Sequence, residues 1–315
     1  MGRTLDALRA AELRREELRT FELGRRRFRL ITVASNKGGV GKTTFALHLS
    51  VYVRALQEDL PILVLALDDQ TLIERTLAVS EERDGPSLLD ALRAGSLDGA
   101  VRVGQFGIHY VRAAADAGEL RPLLADPRSL DRLLRRSGIE GLVVVDTKSE
   151  LGLSTRAAVR AADLVVAPAR DVASLAEAEK VRGLLAPDAS DRFHVLLSGV
   201  DLRIKFEHGE APDLLALLLA ELRRRGLSHF PTFLSRSPIV EALATPPAGA
   251  PRTLLHSAPR SLVHRQLTAL VREVLAALDA VAPLDDEERG DPAPARPAER
   301  MRELAGWLLG PSGEG

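Results

Sequence analysis

Residues 35–44, with the sequence SNKGGVGKTT, constrain the fold of this chain more than any other segment. The apolar run 30–34 predicts a buried strand before them, and the spacing of apolar residues in 45–53 predicts a helix after them. A glycine-rich turn between a strand and a helix is the context of a phosphate-binding loop, because several backbone N–H groups can face one anion at the positive end of the helix. In such a loop Lys42 reaches the β- and γ-phosphates, and the Thr43 hydroxyl binds Mg²⁺. The segment therefore predicts a nucleotide-binding site.

The loop contains a second lysine, Lys37, which an ordinary phosphate-binding loop does not require. With it, the segment KGGVGKTT resembles the deviant Walker A ATPases of the ParA/MinD family. The resemblance implies an ATP-dependent homodimer, in which Lys37 crosses the interface to the phosphates of the partner's nucleotide and supplies a cation in trans. It also implies ATP and Mg²⁺ as ligands and weak, partner-stimulated ATP hydrolysis. The predicted nucleotide contacts of the loop are Lys37, Gly38, Gly39, Val40, Gly41, Lys42, Thr43 and Thr44.

Two aspartates that each follow an apolar run are candidates for the hydrolytic and metal chemistry, Asp68 and Asp146. A carboxylate at the carboxyl end of a strand, beside a phosphate loop, is well placed to orient the attacking water or to hold Mg²⁺. We predict that Asp68 orients water near the metal and that Asp146 is the Walker B carboxylate. The chain departs from the family pattern at Ala66, where the family has an aspartate, and at Lys148, where it has a proline. We expect these departures to affect the hydrolysis rate and the shape of the switch loop.

The resemblance also predicts contacts to the base of the nucleotide. Ser198 occupies the position at which the family contacts adenine. Ser235 and Arg236 lie in a segment that resembles the one lining the family's base pocket. The resemblance covers about residues 29–278, in which predicted strands and helices alternate. We therefore expect a three-layer, doubly wound, mostly parallel α/β fold.

Several arginines are candidates for DNA binding. Arg203 stands where ParA proteins often carry a DNA-contacting arginine, and Arg252 lies in a further ParA-like segment. Arg223, Arg224 and Arg225 end a predicted leucine-rich helix. They are either a helix-capping surface, since cations suit the negative end of a helix, or part of a nucleic-acid patch. The formal net charge of the chain is −1, so any DNA or membrane contact requires such a local patch.

The composition indicates the cellular location of the protein. The 315 residues include no cysteine, which excludes disulfides and thiolate chemistry and predicts a cytoplasmic location. No apolar run is long enough to span a bilayer, and the first residues lack a signal-peptide core.

Three segments flank the predicted ATPase domain of residues 29–282. Residues 1–28, rich in leucine, arginine and glutamate, predict a helical extension that is either solvated or partner-binding. Residues 283–297 are acidic and proline-rich, which predicts a flexible linker. Residues 298–315 predict a short amphipathic helix and tail, in which Trp307 flanks the apolar face. Such a helix suits a membrane interface, partner docking or packing back on the domain.

Two functions of different class remain open. The first is a ParA-like switch whose ATP-bound dimer binds DNA non-specifically at the nucleoid and positions DNA or protein cargo with a ParB-like or other activating partner. The second is a MinD-like scaffold, recruited to the membrane surface and gated by ATP. A metabolic P-loop enzyme ranks third, because no separate substrate site is visible in the sequence.

Overall fold

The computed structural model describes residues 26–68, 72–79, 85–206, 213–244 and 253–284. The strands are β1 (Arg27–Val33), β2 (Ile62–Ala66), β3 (Val101–Val103), β4 (His109–Val111), β5 (Glu140–Asp146), β6 (Leu164–Ala169), β7 (Phe193–Val200) and β8 (Leu234–Ser235). The α-helices are α1 (Lys42–Leu56), α2 (Leu72–Leu77), α3 (Leu88–Ala94), α4 (Leu120–Leu123), α5 (Ser129–Arg136), α6 (Leu153–Ala161), α7 (Val172–Arg182), α8 (Leu214–Arg224), α9 (Pro238–Ala244), α10 (Leu254–Ser257) and α11 (Leu262–Ala280). Arg252, residues 1–25 of the predicted extension, the linker from residue 285 and the C-terminal segment lie outside the described residues.

These strands form one sheet with the order β3-β4-β2-β5-β1-β6-β7-β8. Neighbouring strands are parallel except β3, which pairs antiparallel with β4. β1 lies in the middle, and Val33 at its end is opposite Asp146 of β5 and Val166 of β6. The carboxyl ends of the parallel strands therefore meet at one edge, where ligands bind in sheets of this kind. The predicted mostly parallel α/β fold is confirmed.

Apolar residues on both faces of the sheet explain the three layers. Leu30 and Val145 point into the cluster on the side of α3 to α8, whereas Ile31 and Val144 point into the cluster under α1 and α11. Strands that are buried on both faces require continuous apolar runs, which is what β1 and β5 contain. None of the helices among the described residues is both long and apolar enough to cross a bilayer.

One predicted strand is wrong at its beginning. The apolar residues 106–111 predict a strand, but Gln105–Gly107 is a 3₁₀ turn and β4 begins only at His109. Phe106 has a φ of 61° and Gly107 one of 66°, so the backbone reverses in left-handed conformations that a strand excludes. This turn joins β3 to β4 as a hairpin. The Phe106 ring stacks on His256 of α10, with ring centroids 5.0 Å apart.

Candidate nucleotide-binding site

The loop between β1 and α1 forms an anion cradle at the carboxyl edge of the sheet. Gly39 and Gly41 have φ values of 71° and 92°, which glycine adopts without the steric cost of a side chain. Gly41, which precedes the first residue of α1, Lys42, has no side chain that could cap this helix, and the first turn of the helix contains no acidic residue. The N–H groups of this turn are therefore oriented to receive an anion at the positive end of the helix.

Two side chains of the loop reach into the sheet. Lys42 is buried, and its Nζ donates to Ser149 Oγ at 2.5 Å. Burial lowers the pKa of Lys42, whereas the nearby Asp146 and Asp68 raise it. Thr43 Oγ1 donates to Asp146 Oδ2 at 2.6 Å. The predicted cation, hydroxyl and strand-end carboxylates thus lie together. Ser149 was missed, because no local motif marks it.

Asp146 has the properties of a metal ligand. It is fully buried, and among the described residues its Oδ1 has no hydrogen-bond partner. Burial, together with the carboxylate of Asp68, raises its pKa to about 7, against the hydrogen bond from Thr43 and the charge of Lys42. An unpartnered carboxylate oxygen next to a hydroxyl suits a hard divalent cation. Thr43, Asp146 and Asp68 therefore fit Mg²⁺.

The described residues contain no group of three or more histidine, aspartate and glutamate side chains that could hold a metal ion. Mg²⁺ does not require such a group. Mg²⁺ usually keeps several waters and is bound by one or two carboxylates together with substrate phosphates, not by a cage of protein ligands.

Lys37 lies at the rim of the loop rather than inside it. Its Nζ donates to both carboxylate oxygens of Asp171, at 2.8 and 2.6 Å. Asp171 also caps α7 by accepting from the Ser174 backbone N–H. Burial would raise the pKa of Asp171, but the hydrogen bonds from Lys37 and Ser174 outweigh it and lower the pKa. In a single chain the second lysine is therefore paired with Asp171.

The loop opens into a cleft of about 420 Å³ that continues to an apolar end. The apolar end is lined by residues from several elements, among them Leu234, Val240, Leu254, Val263 and Leu267. The predicted base contacts Ser198, Ser235 and Arg236 all line the cleft. Its dimensions and apolar walls suit a planar base beside a phosphate chain.

Hydrogen bonds hold two of the predicted base contacts in place. Ser235 Oγ donates to Gln266 Oε1 at 2.8 Å, which ties β8 to α11. Arg236 Nε donates to Glu241 Oε1 at 2.8 Å. Sequence reasoning missed two further residues that line the cleft, His48 and Arg170. Arg170 follows β6, and its Nη1 donates to the Gly39 carbonyl at 3.4 Å. No pattern in the sequence links either residue to the loop.

Arg203 lies at the same edge of the sheet as the cleft. It follows the end of β7, and its Nε and Nη2 donate to the carboxylate of Asp201 at 2.9 and 2.6 Å. Arg236 Nη1 lies 3.7 Å from the same carboxylate. Arg203 nevertheless remains well exposed, with 81% of its side chain accessible, so it can meet a ligand.

The predicted cluster of three arginines lies at the opposite edge of the sheet. Arg223, Arg224 and Arg225 are at the end of α8, and the chain then returns to the start of β7, where Val195 N donates to Ser228 O. Arg224 donates to Glu221, and Arg225 donates to both Glu221 and Glu179. One chain therefore does not bring this cluster together with Arg203. The ion pairs agree with the helix-end alternative.

Comparisons with known proteins point to one family. A family model described as an AAA domain matches residues 28–180. The chromosome-partitioning ATPase Soj of Thermus thermophilus is 35% identical over 163 residues, which cover 51% of this chain and 62% of Soj. The chain thus spans less than two thirds of the length of this curated relative.

Solved structures share the fold. Apo McdA of Cyanothece superposes with a TM-score of 0.63 at 20% identity, covering 79% of this chain and 99% of McdA. The septum site-determining protein MinD of Pyrococcus horikoshii, complexed with Mg-ADP, superposes with a TM-score of 0.59 at 20% identity, covering 80% of this chain and 99% of MinD. These comparisons confirm the resemblance of the chain to the ParA/MinD family of deviant Walker A ATPases, which the two-lysine loop and the Thr43–Asp146 pair also carry.

Proposed function

We propose that this protein is a ParA-like ATPase switch, which binds ATP with Mg²⁺ in the cleft, dimerises around the nucleotide and hydrolyses it slowly until a partner stimulates it. The observation that carries the proposal is the buried Asp146, with one carboxylate oxygen bonded to Thr43 and the other without a partner among the described residues, directly below the phosphate loop. MinD of Pyrococcus horikoshii, which has this fold, was solved with Mg-ADP.

The residues act by position and charge, as in other phosphoryl transfers. The loop N–H groups and Lys42 bind the phosphates, and Thr43 with Asp146 would hold Mg²⁺, which neutralises charge on the β- and γ-phosphates. Asp68 lies at the end of β2, close enough to Asp146 to raise its pKa, and orients the attacking water. When ATP is bound, a phosphate oxygen replaces Ser149 as the acceptor for Lys42 Nζ.

Dimerisation supplies the second lysine. The Lys37–Asp171 pair is half exposed, with 33% and 41% of the two side chains accessible, and such a pair contributes only about 0–1 kcal/mol. A triphosphate of a second chain can therefore replace Asp171 as the partner of Lys37. In the proposed dimer each Lys37 leaves Asp171 and binds the phosphates of the partner's nucleotide.

The output of the switch is DNA binding by the dimer. Soj, a relative at 35% identity, is a chromosome-partitioning ATPase. We propose that Arg203, together with Arg252 outside the described residues, contacts DNA phosphates and positions DNA or protein cargo at the nucleoid, with a ParB-like or other activating partner. Because each neutralised phosphate releases counterions, such binding falls steeply with salt and shows little sequence preference.

The test measures mass by light scattering and binding to random duplex DNA, with ATP, ADP or no nucleotide. We expect a dimer and DNA binding with ATP alone. Arg203→Glu should weaken DNA binding without changing ATP affinity, whereas Arg223→Glu, at the opposite edge of the sheet, is the matched control. DNA binding that is equal in ATP and ADP, or insensitive to Arg203→Glu, contradicts the DNA-binding proposal. Failure to bind ATP contradicts the switch itself.

A MinD-like membrane role is the second candidate, and one observation favours it. Residues 298–315 have the amphipathic pattern of an interfacial helix, with Trp307 beside its apolar face. A blue shift of Trp307 fluorescence on adding anionic liposomes with ATP, absent in Leu308→Glu, would establish this role. We expect no lipid-dependent shift. A shift caused by DNA or a partner protein would instead identify a docking segment.

A further inference from the structure

His48 lies on α1, one turn after Thr44 of the phosphate loop. It is 4% exposed and lines the cleft. Its Nδ1 lies 2.7 Å from the carbonyl oxygen of Thr44, one turn earlier in the same helix. Its Nε2 lies 3.1 Å from the backbone nitrogen of Leu254, the first residue of α10, which is 206 positions away in the chain. The ring therefore bridges the phosphate-loop helix and α10.

The two neighbours determine the tautomer of the ring. A carbonyl oxygen only accepts, so Nδ1 must carry the proton. The Leu254 N–H only donates, so Nε2 must be the unprotonated acceptor. A neutral ring is thus required by both contacts, and burial lowers the pKa of His48 in agreement with it. A second proton at Nε2 would face the Leu254 N–H and break the bridge.

The segment that His48 contacts has little stability of its own. α10 has four residues, too few for a stable isolated helix, so its position depends on tertiary contacts. Leu254 is 1% exposed and forms part of the apolar wall of the cleft with Val263 and Leu267. The location of this wall relative to the phosphate loop therefore depends on what anchors the backbone of Leu254.

A second contact holds α10 from its other side. His256 stacks on Phe106, which adopts a left-handed φ of 61° that is unfavourable for an aromatic residue. Strain of this kind persists only where the surroundings enforce it. His256 Nδ1 also lies 2.8 Å from Thr253 Oγ1. α10 is consequently clamped between the β3–β4 turn outside and His48 inside.

We propose that His48 is a positioning residue that sets the base end of the nucleotide site, fixing the Leu254 wall at the distance a base requires from the phosphates bound at the start of α1. The helix that begins with Lys42 thus positions both ends of the ligand: its first turn binds the phosphates, and His48 fixes the wall that contacts the base. This inference rests on the proposed nucleotide binding. It goes beyond it by predicting that His48 governs affinity for the base and leaves affinity for the phosphates unchanged.

Tripolyphosphate separates the two ends, because it offers the phosphate chain without a base. Calorimetry with Mg²⁺ compares ATP, ADP and tripolyphosphate for the wild type, His48→Leu and His48→Gln. Tyr52→Phe is the matched control, since it removes the 2.7 Å contact between Tyr52 on α1 and His264 on α11 without touching the cleft lining. His48→Leu should weaken ATP and ADP about threefold to tenfold, as expected for a lost buried hydrogen bond. Tripolyphosphate should be unchanged, and His48→Gln, which keeps an acceptor, should recover most of the loss.

Three outcomes overturn the inference. The first is an equal loss of ATP and tripolyphosphate affinity in His48→Leu, which would mean that His48 acts through the phosphate loop. The second is an unchanged ATP affinity in Leu254→Ala, a variant that trims the same wall and stays informative if His48→Leu does not fold. The third is a wild type that binds ATP no better than tripolyphosphate, which removes the base pocket but leaves the loop intact. A wild type that binds neither ligand contradicts the proposed function itself.

Discussion

The proposed phosphate end and the proposed base end of the cleft are built from different parts of the chain. The phosphate end consists of the loop before α1 and of strand-end residues that meet it, such as Asp146. The base end is assembled from β7, β8, α9, α10 and α11, and its walls are mainly apolar. Recognition of phosphate depends on backbone geometry and a helix dipole, which are local. Recognition of a base depends on the spacing of walls that come from distant segments. A local sequence motif is therefore enough to encode the phosphate loop, whereas the walls around the base depend on tertiary packing.

Polar contacts differ between the two ends in the same way. At the proposed phosphate end, the ionisable side chains of Lys42 and Asp146 are buried, and Asp146 Oδ1 has no hydrogen-bond partner among the described residues. At the base end, the polar groups are already bonded to one another, as in the Ser235–Gln266 and His48–Leu254 pairs. The proposed phosphate end therefore recognises a ligand by its charge, whereas the proposed base end recognises it by its shape.

The largest effect should follow from removing the loop cation. Lys42→Ala should weaken ATP and tripolyphosphate alike, by about 2–5 kcal/mol, because the phosphates lose a buried charged donor. Calorimetry measures both ligands, and Lys205→Ala, an exposed lysine paired with Asp213 outside the cleft, is the control. An unchanged tripolyphosphate affinity would show that the phosphate end lies elsewhere.

The next effect concerns turnover without binding. Asp68→Ala should reduce the hydrolysis rate about 10²–10⁴-fold, because a water-orienting carboxylate is lost, while ATP binding and the ATP-dependent dimer remain. Phosphate release and light scattering on the same sample measure both quantities. Wild-type hydrolysis, or a variant that stays monomeric with ATP when the wild type dimerises, would assign Asp68 another role.

A smaller effect should follow from releasing Lys37. Asp171→Ser removes the negative charge but keeps a residue that caps α7 well. ATP-dependent dimerisation should then occur at a protein concentration lower by up to about thirtyfold, since at most about 1 kcal/mol holds Lys37 in each of the two chains. The matched control is Asp213→Ser, because Asp213 also caps a helix and pairs with a lysine. Equal dimerisation of both variants would mean that the Lys37–Asp171 pair does not restrain the switch.

The smallest expected effect is a pH dependence of stability that is caused by His48. Burial lowers the pKa of His48 in the folded chain. Its contribution to stability is therefore complete above the unfolded pKa of about 6.5 and is lost as the pH falls below it, since the unfolded chain then binds the proton more tightly. The melting temperature of the wild type should fall more between pH 7.5 and 5.5 than that of His48→Gln. Parallel curves for the two proteins would exclude this linkage.

The sequence by itself determined the class of the fold and the strand–loop–helix order around residues 37–44. The loop from Lys37 to Thr44 could be predicted from its sequence, because it depends only on neighbouring residues. These residues are its glycines, the apolar strand before them and the helix after them. Apolar runs buried on both faces identified β1, β2 and β5. Because the carboxyl ends of parallel strands share one edge, the approach of Asp146 to Thr43 followed from the pattern.

Only the tertiary structure decided the remaining contacts. Lys37 bonds to Asp171, Lys42 to Ser149 and His48 to Leu254, at separations of 134, 107 and 206 positions. Strand order also decided that Arg203 lies at the edge of the cleft and that Arg223, Arg224 and Arg225 lie at the other edge. The physical reason is common to all of these contacts. A side chain's partner depends on which edge of the sheet its segment reaches and on how the helices pack there, and no pattern of neighbouring residues encodes either.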